Sequence, residues 1–188
     1  MIPTTNKGAT TASATKAERQ WVTGAFTDRE SADRAYESML SRGYSEKDIN
    51  LMMSDETRKQ HFSDEDAKGS GLGSKAMESA GVGGAIGGTA GATLAALAAV
   101  GTSIAIPGLG LVVAGPIAAA LAGAGAGGLA GGVIGALVGW GIPEDRAKLY
   151  ESDLREGGIV LGVSPRNDED AQYFDTEWTN NKGRNIYR

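Results

Sequence analysis

Hydrophobic and polar positions change their spacing several times along this chain, and each change marks an element. Gln20 to Phe26, with Trp21, Val22 and Phe26, reads as a strand. From Thr27 the spacing becomes helical, and Ala32, Ala35, Tyr36, Met39 and Leu40 share one face. Thr27 and Glu30 form a capping box at its start, and Gly43 ends it as the residue after the cap. Ser45 to Asp48 is a turn, and Ile49 to Met53 is a second strand. The three elements predict a β-α-β unit with a parallel strand pair and a right-handed crossover. Asp55 to Ser79 is polar, with a short helix near Glu56 to Phe62 and then a Gly/Ser linker.

The period resumes near the other end. Pro143 suits a first helical turn, and Glu144 and Asp145 suit its positive dipole end. Ala147, Leu149, Tyr150 and Leu154 form the apolar side, and Gly157 and Gly158 stop the helix. Ile159 to Val163 is a third strand, and Pro165 to Asn167 a turn. A last helix runs from Asp168 to about Thr179, with Ala171, Phe174 and Trp178 facing inward. Asn180 to Arg188 reads as a polar, basic tail.

Between these halves lies Ser79 to Pro143, which holds no Asp, Glu, Lys, Arg or His. Glycine recurs there at every fourth residue. The first series is Gly83, Gly87 and Gly91, continued by Ala95 and Ala99. The second is Gly123, Gly127, Gly131, Gly135 and Gly139, extended backwards by Ala119 and Gly115. Residues four apart share one helix face, so each segment predicts a helix with a stripe nearly free of side chains. Each glycine costs such a helix about 1 kcal/mol relative to Ala. Lipid or close helix contact offsets that cost. The spacing therefore predicts a glycine zipper, within the chain, between chains, or both.

Thr102 to Pro116, with Pro107, Gly108, Gly110 and Pro116, predicts the turn of a helical hairpin. Each arm of about 25 residues spans about 37 Å, more than the roughly 30 Å hydrocarbon core of a bilayer. The turn carries Ile104, Ile106, Leu109, Leu111, Val112 and Val113, so this tip is more apolar than the arms. Such a tip belongs in lipid or against another protomer. The arms, rich in Ala and Gly, are only marginal membrane segments. Two readings stay open: a membrane-inserted hairpin, and a soluble hairpin buried in an oligomer. Lys68, Lys75, Arg146 and Lys148 flank the arms, which places both termini in the cytoplasm if the hairpin crosses the cytoplasmic membrane. The alternative is a cytoplasmic location.

The fold class expected is α+β: a small split ferredoxin-like head, β-α-β and α-β-α, with an inserted glycine-zipper hairpin. The divisions are a disordered tail at 1–18, the first half of the head at 19–55 and a charged helix and linker at 56–78. The hairpin at 79–140, the second half of the head at 141–179 and a polar tail at 180–188 follow.

A net charge of −5 gives no electrostatic case for nucleic acid. The absence of cysteine excludes disulfides and thiolate metal sites. Gly123, Gly125 and Gly128 match a dinucleotide fingerprint in letters, but no strand precedes them, and the zipper spacing accounts for them better. Gly69 to Lys75 lacks the Lys-Ser/Thr of a phosphate loop. Asp64 to Asp66 lacks calcium-loop spacing, and Asp168 to Asp170 opens a helix where acids are expected. His61 has no partner in sequence. Trp140 reads either as a membrane-interface anchor or as a cover for the head. No catalytic residue, cofactor, metal or small-molecule substrate is expected. Lipid and a second copy of the chain are the expected partners.

The segment "VTGAFTDRESADRAYESMLSRGYSEKDINLMMSD" (Val22 to Asp55) resembles the YflT-like, heat-induced general stress protein domain of bacteria. "GIPEDRAKLYESDLREGGIVLGV" (Gly141 to Val163) is similar to the second half of its glycine-rich relatives. The resemblance implies a bacterial, stress-associated protein of unknown biochemical activity, and it brings no active-site residues with it.

Overall fold

The computed structural model describes residues 21–62, 104–106, 108–124 and 131–188. Among them run β1 (Val22–Phe26), α1 (Arg29–Ser41), β2 (Ile49–Ser54), α2 (Asp55–His61), β3 (Ile104–Ile106) and β4 (Leu111–Ala114). Then come α3 (Pro116–Ala124), α4 (Gly132–Gly139), α5 (Glu144–Arg155), β5 (Ile159–Val163), α6 (Asp168–Asn180) and β6 (Arg184–Tyr187). The strands form one antiparallel sheet in the order β3-β4-β2-β5-β1-β6. The class is α+β, with six strands and six helices among the described residues.

Alternation along the strands sends side chains to two faces. Val22, Phe26, Ile49, Leu51, Met53, Ile159, Leu161 and Val163 point to one face, under α1 and α6. Ala32, Ala35, Tyr36 and Met39 of α1 and Ala171, Phe174 and Trp178 of α6 complete that core. Ala25, Met52, Leu111, Val113 and Val160 point the other way. There they meet Ile117 and Ala118 of α3, Ala136 and Leu137 of α4, Trp140, Ile142, and Ala147, Tyr150 and Leu154 of α5. The sheet is thus covered on both sides.

Local chemistry sets several boundaries. Asp28, not Thr27, caps α1: its Oδ1 accepts from the Ser31 amide at 2.8 Å. Glu30 turns outward to Arg34 at 2.7 Å instead of closing a capping box. Gly43 has φ +77, as the end of α1 requires. Asn167 caps α6 through the Asp170 amide at 2.8 Å, one residue ahead of the three acids that open it.

Five further expectations change. β1 and β2 are not a neighbouring parallel pair, because β5 lies between them and is antiparallel to both. The apolar turn is no helical tip: Ile104–Ile106 and Leu111–Ala114 pair as a β-hairpin that extends the sheet beyond β2. Gly108 and Gly110, at φ +85 and +62, turn it. The second arm is not one helix, since α3 and α4 are separate and Gly132, at φ +65, opens α4. No helix among the described residues is long and apolar enough to cross a membrane. That overturns the transmembrane reading, and the placement of the termini loses its premise. Finally, the polar tail holds β6, which pairs with β1. The first arm, with Gly83, Gly87 and Gly91, the linker and the N-terminal tail lie outside the described residues, as does Gly127.

Candidate functional site

The expected packing residues fall into two groups. Those of the apolar turn are absorbed by the chain's own sheet. Ile106, Leu111, Val112 and Val113 are buried, and Leu109 packs partly buried against the second core. β4 lies beside β2 in register, Met52 opposite Val113 and Met53 opposite Val112. Gly115 makes the close approach that brings the chain from β4 into α3. Its φ is +91, and a Cβ there would stand 2.1 Å from the Ile49 carbonyl oxygen. Asn50 then caps α3 from the neighbouring strand, its Oδ1 accepting from the Ile117 amide at 2.8 Å.

The glycines of the second arm end differently. Gly131 stands exposed at the cap of α4, and Gly139 stands exposed at its other end. A Cβ built on Gly139 meets nothing within 4 Å. Ala136 and Leu137 face the sheet, while Val133, Gly135 and Ile134 are only partly buried. α4 reads Gly-Val-Ile-Gly-Ala-Leu-Val-Gly and has no polar side chain for water. A helix with one solvated face ordinarily carries polar residues there. The two large apolar side chains that stand exposed among the described residues are Val138 of α4 and Leu149 of α5, each at 44%. Leu149 was expected on the buried side of α5. The buried positions are Ala147, Tyr150, Asp153 and Leu154, and Leu149 points away from them.

Trp140 covers the sheet. It is buried, meets Trp21 edge-to-face at 5.8 Å, and lies over Gly162, whose missing Cβ would be 2.3 Å from Cζ2. Only glycine leaves room for the indole there. The membrane-anchor alternative for Trp140 therefore falls away.

Among the described residues, two clusters of polar side chains tie distant elements together. Asp170 accepts from the Tyr44 hydroxyl at 2.6 Å and pairs with Arg42. The Tyr44 bond, then Arg42, hold its carboxyl below the ordinary range. Tyr44 also accepts from the Arg166 amide at 2.8 Å, and the Arg166 guanidinium lies over its ring at 4.1 Å. This cluster joins the end of α1 to the start of α6. A second cluster fixes β6. Tyr150 shares a 2.8 Å bond with Thr23 and donates to the Asn185 carbonyl at 2.7 Å. Burial pushes its hydroxyl up to about 12. The Asn185 amide donates to Asp153 at 2.7 Å, with Arg184 3.5 Å from the same carboxylate. The sequence reading missed both clusters, whose partners lie far apart in the chain. The aromatic pattern of Tyr44 and Tyr150 was the available signal.

Among the described residues, no group of three or more acidic or His side chains is arranged to hold a metal ion. No family model matches the chain, and neither a curated protein nor a solved structure matches it.

Proposed function

We propose that this chain is a non-enzymatic structural protein that associates with further copies of itself through the outer side of α4. The observation that carries the reading is α4 itself, an all-apolar helix whose Val138 and Gly139 stand exposed, as does Gly131 at its cap. An exposed glycine edge lets another backbone approach closely, so dispersion contacts form along the whole helix. Leu149 on the adjoining α5 extends the apolar surface available to a partner. The polar clusters support the same reading, because their side chains are spent on joining elements of the fold.

We also read β1-α1-β2-β5-α6-β6 as a split ferredoxin-like body, with β3, β4, α3 and α4 inserted. The support is the strand order β2-β5-β1-β6 and the placement of α1 and α6 on one face. The resemblance of Val22 to Asp55 and of Gly141 to Val163 is the sole support for a role in bacterial stress.

Sedimentation equilibrium of the full chain tests the association. The wild type is expected to be oligomeric at micromolar concentration, and Val138→Asp to be monomeric with its fold intact. A wild type that stays monomeric at all concentrations contradicts the reading and leaves α4 to be covered within its own chain.

A further inference from the structure

Two buried side chains on the second face carry a hydrogen-bond donor that no group of the chain accepts, and they are neighbours. Asn50 of β2 is 0% exposed and Trp140 is 5% exposed, and both Asn50 Nδ2 and Trp140 Nε1 are unpartnered. Asn50 lies opposite Gly162 of β5 in register, and Thr23 of β1 flanks Gly162 from the other side. The Trp140 ring covers the middle of that row. A Cβ on Gly162 would be 2.3 Å from its Cζ2 and 2.7 Å from its Cη2. Cζ2 is two bonds from Nε1, so the indole donor sits beside the row that carries the Asn50 amide. The orientation of that amide is fixed. Asn50 Oδ1 accepts from the Ile117 amide at 2.8 Å, which leaves Nδ2 as the free end.

We propose that one buried water molecule bridges these two donors, accepting from Asn50 Nδ2 with one lone pair and from Trp140 Nε1 with the other. Buried N–H groups are rarely left without an acceptor. An internal water held by about two to four polar groups is the common way to satisfy them. An anion suits the place less well. The side chains packed together on this face include Met52, Ile117, Leu137 and Val160. Among them an unpaired charge costs far more than a neutral acceptor. Two neutral donors in apolar surroundings call for a neutral partner.

The bridge gives Asn50 two tasks. Its Oδ1 holds the start of α3 through the Ile117 amide. Trp140 is the cap of α4, and its own amide donates to the Ala136 carbonyl at 3.1 Å. Through the water, Nδ2 therefore holds the end of α4. One side chain of β2 sets both helices against the sheet. The tie is weaker than a direct bond, because holding the water costs entropy.

Nuclear Overhauser transfer between water and the nitrogen-bound protons of the full chain tests the bridge. The wild type is expected to show cross-peaks to a long-lived water from both the Trp140 indole N–H and the Asn50 side-chain amide. Trp140→Phe keeps an aromatic ring over Gly162 and removes one donor, so the Asn50 cross-peak should be lost. Thr23→Val removes a neighbouring hydroxyl, bonded to Tyr150 at 2.8 Å, that is able to relay magnetisation from solvent. Both cross-peaks should persist in that variant. A missing water cross-peak at either donor of the wild type overturns the bridge. So does an Asn50 cross-peak that persists in Trp140→Phe, which means separate waters. Loss of both cross-peaks in Thr23→Val also overturns it, because the transfer then ran through the hydroxyl.

Discussion

The two faces of the sheet each seat a tryptophan over a glycine, and they differ in what surrounds the pair. Under α1 and α6, Trp178 lies over Gly24 and meets Phe26 and Phe174, each at 5.8 Å between ring centroids. Its Nε1 donates to Ser38 Oγ at 3.2 Å. On the other face, Trp140 lies over Gly162, and its buried Nε1 has no partner. The Asn50 Nδ2 on that face is also unpartnered. The first face is finished by its own helices, whose outer sides are polar. The second is covered by helices that include the wholly apolar α4. The difference teaches that burying a sheet and presenting a finished surface are separate tasks. One face accomplishes both, and the other leaves an apolar exterior.

The largest expected effect lies on the finished face. Trp178→Ala should cost about 4 kcal/mol, as truncations of large buried aromatics do, seen as a lower denaturant midpoint. A gentler pair sharpens the contrast. Trp178→Phe breaks the bond to Ser38, whereas Trp140→Phe removes a buried donor that has no partner. Trp178→Phe should therefore be the more destabilising of the two; the reverse order would mean that Trp140 is better satisfied than Trp178.

The glycines give the converse test. A Cβ on Gly162 would be 2.3 Å from the Trp140 ring, whereas one on Gly24 would be 3.2 Å from that of Trp178. Gly162→Ala should cost about 2 kcal/mol or more through overpacking, and Gly24→Ala clearly less. Equal midpoints would show that Trp140 moves aside freely.

A smaller effect comes from Asp33, on α1 over the finished face. Its carboxyl is raised from 3.8 to about 6, so the folded chain holds this proton more tightly than the unfolded one. The resulting stability is complete below pH 4 and is lost as pH rises through about 6. Asp33→Asn should flatten that slope and raise thermal stability at pH 7.5 by about 1 kcal/mol. Part of the desolvation gain is offset by the loss of the attraction between Asp33 and Arg29. A slope that persists in the variant assigns it to another group. Smallest for the fold itself is Val138→Asp on the open face, within about 0.5 kcal/mol at an exposed position. It can be read by denaturation at a concentration where the chain is monomeric.

The finished face was also the more legible in sequence. Ala32, Ala35, Tyr36 and Met39 on α1, and Ala171, Phe174 and Trp178 on α6, follow helical spacing and are buried together. Gly43 and the acids from Asp168 mark helix ends by known local chemistry. The insert was misread because glycine serves two purposes in it. Gly108 and Gly110 do turn the chain, as read from sequence, but between two strands; fourfold spacing suggested continuous helices, whereas Gly115 and Gly132 also take positive φ and interrupt them. The run Leu111–Ala114 then joins β2, a pairing between segments far apart in sequence that no local period reveals. β6 was missed for a related reason. Arg184–Tyr187 is short and polar, and what places it is the distant pair Tyr150 and Asp153. Of the glycine series read in the sequence, Gly135 and Gly139 lie on α4, and Gly139 stands in the open there.

The chain contains no cysteine, so a single one can report on that surface directly. Val138→Cys flanks the stripe without filling it, and Glu169→Cys, at a strongly exposed side chain at the start of α6, serves as control. A disulfide forms only when the two Cβ atoms come within about 4.5 Å. Under mild oxidation of the full chain at micromolar concentration, rapid and near-complete covalent dimers through position 138, with few through position 169, are the predicted result. Equal, slow crosslinking at both positions would contradict self-association through α4.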